Sequence, residues 1–171
     1  VYLHSTYNHF DRFPVVPVKG HEKACVSGWK QIGEVLRSSL PHKKGSLVVT
    51  IETYQGVHLD DLKSGFSALL KPDLILDTAS CFLPEEEIRK ITQSDVTDDR
   101  VFGYLSRLNM LDLLDAKKLA EASLQIQKED ASLILIFGYG ASLVWAKPDI
   151  LIYADMARWE IQQRMRRNEV N

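Results

Sequence analysis

Three stretches of the chain bring together residue types able to do chemistry. The first is Glu52-Thr53-Tyr54-Gln55-Gly56-Val57, directly after the apolar run 46–51; a second carboxylate, Asp77, closes the run 73–77. Carboxylates at two strand ends suit Mg²⁺ coordination or a general base, provided they face one another. The second stretch is Gly138-Tyr139-Gly140-Ala141-Ser142, where a turn running into a short helix would offer free N–H groups to an anion. The same glycines would equally serve a purely structural tight turn. The third is Asp155 with Arg158, followed by Arg164, Arg166 and Arg167. Asp155 is either a ligand to a metal or sugar hydroxyl, or the N-cap of the helix behind it. The arginines form either a phosphate clamp over the strand ends or a solvated basic face, in which Glu160 and Arg164 make an ordinary i,i+4 pair.

Several familiar templates are incomplete. A phosphate-binding P-loop needs GxxxxGK before Ser or Thr, yet the chain has no Gly-Lys pair, and the loop after residues 46–51 has the single glycine Gly56. If the fold is P-loop-like, the phosphate grip is lost or replaced, and Gly56 serves at least as a turn glycine. Gly138 and Gly140 supply two thirds of GxGxxG, with Leu143 in the third position. The histidines show no HExxH spacing, and no GxSxG elbow occurs.

The elements that must position these residues follow from periodicity. Helices are expected over residues 27–40 with Ser27 as N-cap, behind Val57 with Leu59, Leu62, Phe66, Leu69 and Leu70 inward, from Pro84 with three glutamates behind it, and over most of 104–127 with a break near 112–115. Residues 95–102 read as an acidic loop. Strands are expected at 46–51, 73–77, 133–137 and 149–153, and the last helix carries Trp159, Ile161, Arg164 and Met165 with Asp155 as its cap. This alternation predicts one three-layer α/β domain over residues 1–171, with a mainly parallel sheet of four or five strands, P-loop-like or Rossmann-like. Residues 1–26 read as an extended N-terminal segment, with 13–18 as an edge segment carrying two prolines. In such sheets ligands sit beyond the carboxyl ends of the strands, where all three stretches fall.

Bulk properties narrow the partners. A net charge of -2 disfavours a phosphate-backbone binder, so no nucleic acid is expected. No apolar run is long enough for a membrane span, and the start reads as neither signal nor transit peptide. Cys25 and Cys81, without a CxxC, read as reduced thiols in a cytoplasmic protein. A start without Met and an end directly after a helix suggest a fragment of something longer.

Taken together, Tyr54-Gln55-Gly56-Val57, Asp98-Asp99-Arg100-Val101-Phe102-Gly103, 137–143 and Tyr153-Ala154-Asp155 before Glu160-Ile161-Gln162-Gln163-Arg164 resemble the N-terminal region of the long, fused class I mannose-6-phosphate isomerase-like proteins of bacteria. The resemblance runs from about Trp29 to the C-terminus. It implies a kinase-related P-loop fold that has lost its Walker lysine, placed before a cupin isomerase domain, in cytoplasmic carbohydrate metabolism. The zinc ligands would lie in the cupin part, so no zinc or catalytic residue transfers here. The expected role is a degenerate, itself inactive domain that binds a sugar phosphate or nucleotide through Tyr54, Gly56, Gly138, Gly140, Ser142, Asp155 and Arg158. Two alternatives stand beside it: an active Mg²⁺-dependent phosphotransferase using Glu52 or Asp77, and a structural association domain.

Overall fold

The β-branched run behind Gly45 forms β1 (Leu47–Thr53), in which Val49, Thr50 and Ile51 are wholly buried. A strand apolar on both sides must be covered on both, which marks it as central in a parallel sheet. The computed structural model, which describes residues 14–170, places β1 between β3 (Leu133–Gly138) and β4 (Ile150–Ala154), with β2 (Leu74–Asp77) beyond β3. All three pairings are parallel, in the order β2-β3-β1-β4.

Two helical layers cover the sheet. On one face lie α1 (Trp29–Ser39) and α2 (Leu59–Leu70), whose Ile32, Leu36, Leu62 and Phe66 pack on Val49, Ile51, Leu135 and Phe137. Trp29 meets Phe66 edge to face at 5.3 Å, joining the two helices. After β2 the chain makes an excursion through α3 (Glu85–Val96) before α4 (Ala116–Lys128) returns to the opposite face. There α4 and the short α5 (Ala141–Val144) bury Ile126, Ala141 and Val144 against Val48, Ile134 and Ile136. The last helix, α6 (Arg158–Arg166), lies over the carboxyl end of the sheet and buries only Ile161. The chain is thus the expected three-layer α/β fold with an all-parallel sheet of four strands among the described residues.

The departures concern caps and connections. Gly28 at φ 83°, not Ser27, precedes α1, and no side chain caps it. Ala157, not Asp155, precedes α6; the Asp155 carboxylate accepts instead from the Met156 N–H at 2.7 Å. Residues 104–109 are not helical. The Tyr104 N–H is committed to the Asp95 carbonyl at 2.7 Å, and Asp115 fixes the start of α4 by accepting from Lys117 N and Lys118 N. Asn109 and Asp112 close a capping box around the 3-10 turn Met110–Leu113. Asp95 and Val96 belong to α3 rather than to the acidic loop. Residues 14–18 pair with no strand, and the rest of the N-terminal segment, 1–13, lies outside the described residues. No helix among the described residues is long and apolar enough to cross a membrane.

The entry to β4 is pinned by Asp149. Its N–H donates to the Val48 carbonyl at 2.8 Å, its carboxylate accepts from the Val48 N–H at 2.8 Å, and Lys43 stands 2.6 Å away. Partial burial would raise the Asp149 pKa, but the Lys43 ammonium and the Val48 N–H outweigh it and hold the carboxyl below the ordinary carboxylate range. A depressed native pKa contributes stability that is present above the ordinary aspartate value and lost as pH falls through the native one. Unfolding followed by urea from neutral to acid pH should therefore show a stability loss in that window. Asp149→Asn should be less stable at neutral pH and lose less on acidification.

Candidate functional site

The crossovers leaving β1 and β3 go to opposite faces of the sheet, so their carboxyl ends frame the crevice where open α/β sheets commonly receive ligands. Glu52 occupies that crevice. It stands opposite Gly138 on one side and Tyr153 on the other. Its carboxylate accepts from Gly140 N at 2.7 Å, from Ser142 N at 2.8 Å and from the Ser142 hydroxyl at 2.8 Å. The free N–H groups of the glycine turn thus already hold an anion, supplied by the chain itself. Glycine is required on either side of this contact. Gly138 has φ 122°, and a Cβ there would come 2.3 Å from Thr78 Oγ1, which hydrogen-bonds the Tyr139 carbonyl at 2.8 Å. Gly140, at φ 71°, packs under Met110 and Leu114.

Asp77 is turned elsewhere. One oxygen accepts from Ala79 N at 3.0 Å and the other meets Lys63 at 2.9 Å, with β3 between Asp77 and Glu52. The two strand-end carboxylates therefore do not form a shared site. Among the described residues no group of three or more His, Cys, Asp or Glu is placed to hold a metal ion.

On the other side of β1 the ends of β1 and β4 and the start of α6 enclose a cleft of about 820 Å³. Tyr54, Asp155 and Arg158, all singled out in the sequence, line it together with Tyr153 and Gln162. Arg158 has no ion-pair partner among the described residues, whereas Arg164 and Arg167 are both committed. Arg164 pairs with Glu160 at 3.2 Å and donates to the Gly56 carbonyl at 2.8 Å; Arg167 bridges Glu160 and Glu169. Of the expected arginine clamp only Arg158 lines the cleft: Arg164 and Arg167 are spent on Glu160, Glu169 and the Gly56 carbonyl, and Arg166 forms no ion pair among the described residues but lies outside the cleft lining. Gly56 stands behind the cleft lining, with Ile161 packed so closely that a Cβ would come 2.9 Å from it. Desolvation first, then the neighbouring Asp155, Tyr54 and Glu52, raise the Tyr153 pKa above the ordinary phenol value.

The predicted residues thus gather at one end of the sheet but in two groups. Gly138, Gly140 and Ser142 sit with Glu52 between β1 and β3, and Tyr54, Asp155 and Arg158 sit in the cleft between β1 and β4. Sequence reasoning missed Tyr153, Gln55, Gln162 and Met165. Helical spacing carried the signal for two of them, since Gln162 and Met165 follow Arg158 by four and seven positions and so share its face.

An all-parallel α/β domain with a self-filled crevice and an adjacent aromatic cleft is the class these features define. The chain belongs to the family described as a domain of unknown function (DUF8485), which matches residues 28–171 and so spans every helix and strand described above. No curated protein and no solved structure matches the chain.

Removing the internal anion strands two backbone donors. Glu52→Ala should lower unfolding free energy by roughly 2 to 6 kcal/mol, at about 1 to 3 kcal/mol per orphaned donor, and Glu52→Gln by less. Ser142→Ala should cost only about 1 kcal/mol. Gly138→Ala combines a positive φ with overlap on Thr78 and should cost roughly 2 to 4 kcal/mol. Urea unfolding of the variants checks the order.

Proposed function

We propose that this domain binds a phosphorylated small molecule, a sugar phosphate or a nucleotide, in the cleft between the ends of β1 and β4, and that it does so without catalysing its turnover. The observation that carries this reading is Arg158, unpaired among the described residues and sharing one cleft with Tyr54, Tyr153, Asp155 and Gln162. A guanidinium recognises phosphate oxygens with two parallel hydrogen bonds. The tyrosines offer flat faces for a sugar or base and a hydroxyl donor, and Asp155 can accept from a sugar hydroxyl. The turn at Gly140, where a phosphate would otherwise go, is held by Glu52, which moves the anion position across β1 to Arg158.

Binding is favoured over phosphoryl transfer because Glu52 and Asp77 are both engaged, on the glycine turn and on Lys63. The resemblance to the fused mannose-6-phosphate isomerase-like proteins makes a hexose 6-phosphate the first compound to try. It also supports placing the domain beside a cupin isomerase in the cytoplasm.

Thermal unfolding with mannose 6-phosphate, and separately with ATP and Mg²⁺, tests the proposal. A ligand at about 100 times its Kd adds roughly 2.7 kcal/mol to the native state. The expected result is a higher Tm with one of them, lost in Arg158→Ala and reduced in Tyr153→Ala. No shift with either compound, or a shift that Arg158→Ala leaves intact, would overturn it. Mg²⁺-dependent ATP hydrolysis abolished by Asp77→Asn would replace binding with transfer.

A further inference from the structure

The cleft between the ends of β1 and β4 differs from one end to the other, and the difference narrows its ligand. Arg158 opens α6, with Gln162 and Met165 four and seven residues behind it on the same wall. A rise of 1.5 Å per residue sets them about 6 Å and about 10 Å further along the helix. One end of the cleft therefore carries the charges, Arg158 with Asp155, and the other carries the Met165 thioether. Asp155 spends one oxygen on the Met156 N–H at 2.7 Å, which leaves the other to accept from a ligand hydroxyl.

Two rings stand between these ends. Tyr153 is the β4 neighbour of Glu52, and Tyr54 follows Glu52 by two positions, so strand alternation sets both on the same face of the sheet. Tyr54 is 47% exposed and Tyr153 58%, and neither is paired with another aromatic ring among the described residues. Any nucleobase can stack on such a surface, because every base has a π face. Gln55 and Gln162 add two carboxamides to the lining, each with a donor beside an acceptor, the pattern with which these side chains read the edge of a base.

These features separate the two kinds of phosphorylated ligand. A hexose 6-phosphate held by Arg158 would turn its hydroxylated end toward Met165, whose sulfur is only a weak acceptor. A nucleotide held the same way sets its sugar hydroxyls near Asp155 and its base among Tyr54, Tyr153 and Met165. Charge then limits the number of phosphates. Arg158 is the single cation of the cleft lining and stands beside an acid. One phosphate monoester already carries about −1.5 to −2 at neutral pH, and a triphosphate adds charges that no lysine or second arginine of the lining meets. We infer that the ligand is a nucleoside monophosphate, its phosphate on Arg158, its sugar on Asp155 and its base on the two tyrosines; this rests on the cleft being the phosphate-binding site proposed for the domain.

Calorimetric titration of the 171-residue chain with AMP, UMP, their free nucleosides, ATP and mannose 6-phosphate tests this. The expected result is that AMP or UMP binds about tenfold or more tighter than ATP, with mannose 6-phosphate weaker still. Arg158→Ala should weaken the monophosphate about tenfold or more and leave the free nucleoside unchanged, whereas Tyr153→Ala should weaken both about tenfold. Mannose 6-phosphate bound through Arg158 more tightly than AMP and UMP, or ATP bound more tightly than either, overturns the inference and leaves the phosphate site standing. No binding by any of these compounds, or a monophosphate affinity that Arg158→Ala leaves intact, overturns both. The order of affinities on the wild-type chain decides the ligand class whether or not the variants fold.

Discussion

The contact on which the working end of this domain depends is the Glu52 carboxylate seated against Gly140 and Ser142. It joins the ends of the two central strands, and in doing so it converts a crevice that open α/β folds leave for ligands into part of the scaffold. Three requirements meet there: an acid at the penultimate position of β1, glycines able to turn sharply after β3, and a parallel register that sets Glu52 opposite Gly138. The cleft on the other side of β1 inherits a rigid wall from this arrangement, because Tyr153 is the neighbour of Glu52 on β4.

Much of the fold was legible in the sequence because its strands are apolar throughout. Runs such as Leu47–Thr53 and Leu133–Gly138 admit little besides buried strands, and the spacing of Leu59, Leu62 and Phe66 settles which face of α2 turns inward. Residues 104–109 misled because Leu105 and Leu108 are spaced as a helix would space them; the hydrogen bond of Tyr104 to Asp95 is a tertiary fact with no local signature. Ser27 and Asp155 misled in a related way, since a capping residue type one or two positions from a helix start does not oblige the backbone to use it.

The site was legible in position and less so in chemistry. Sequence alone marks Glu52 and the turn at Gly140 as anion-related features, but not that one satisfies the other across 88 residues. Likewise Arg158, Arg164 and Arg167 look alike in a basic run, and only packing separates one directed at the cleft from two spent on Gly56, Glu160 and Glu169. Parallel topology gathers strand ends from distant parts of the chain, so the choice of partner among them is decided by register, which no single segment encodes.

The fastening of α6 has a consequence of its own. This helix, which supplies one wall of the cleft, buries a single side chain, Ile161, and that side chain packs on Gly56. Glu160, Arg164, Arg167 and Glu169 pair with one another within the helix and just beyond its end, and Arg164 also donates to the Gly56 carbonyl at 2.8 Å. Both the apolar and the polar contact of the helix therefore meet the same glycine. A larger side chain at position 56 would push against Ile161 and shift the wall, so the shape of the cleft is set by a residue that does not line it.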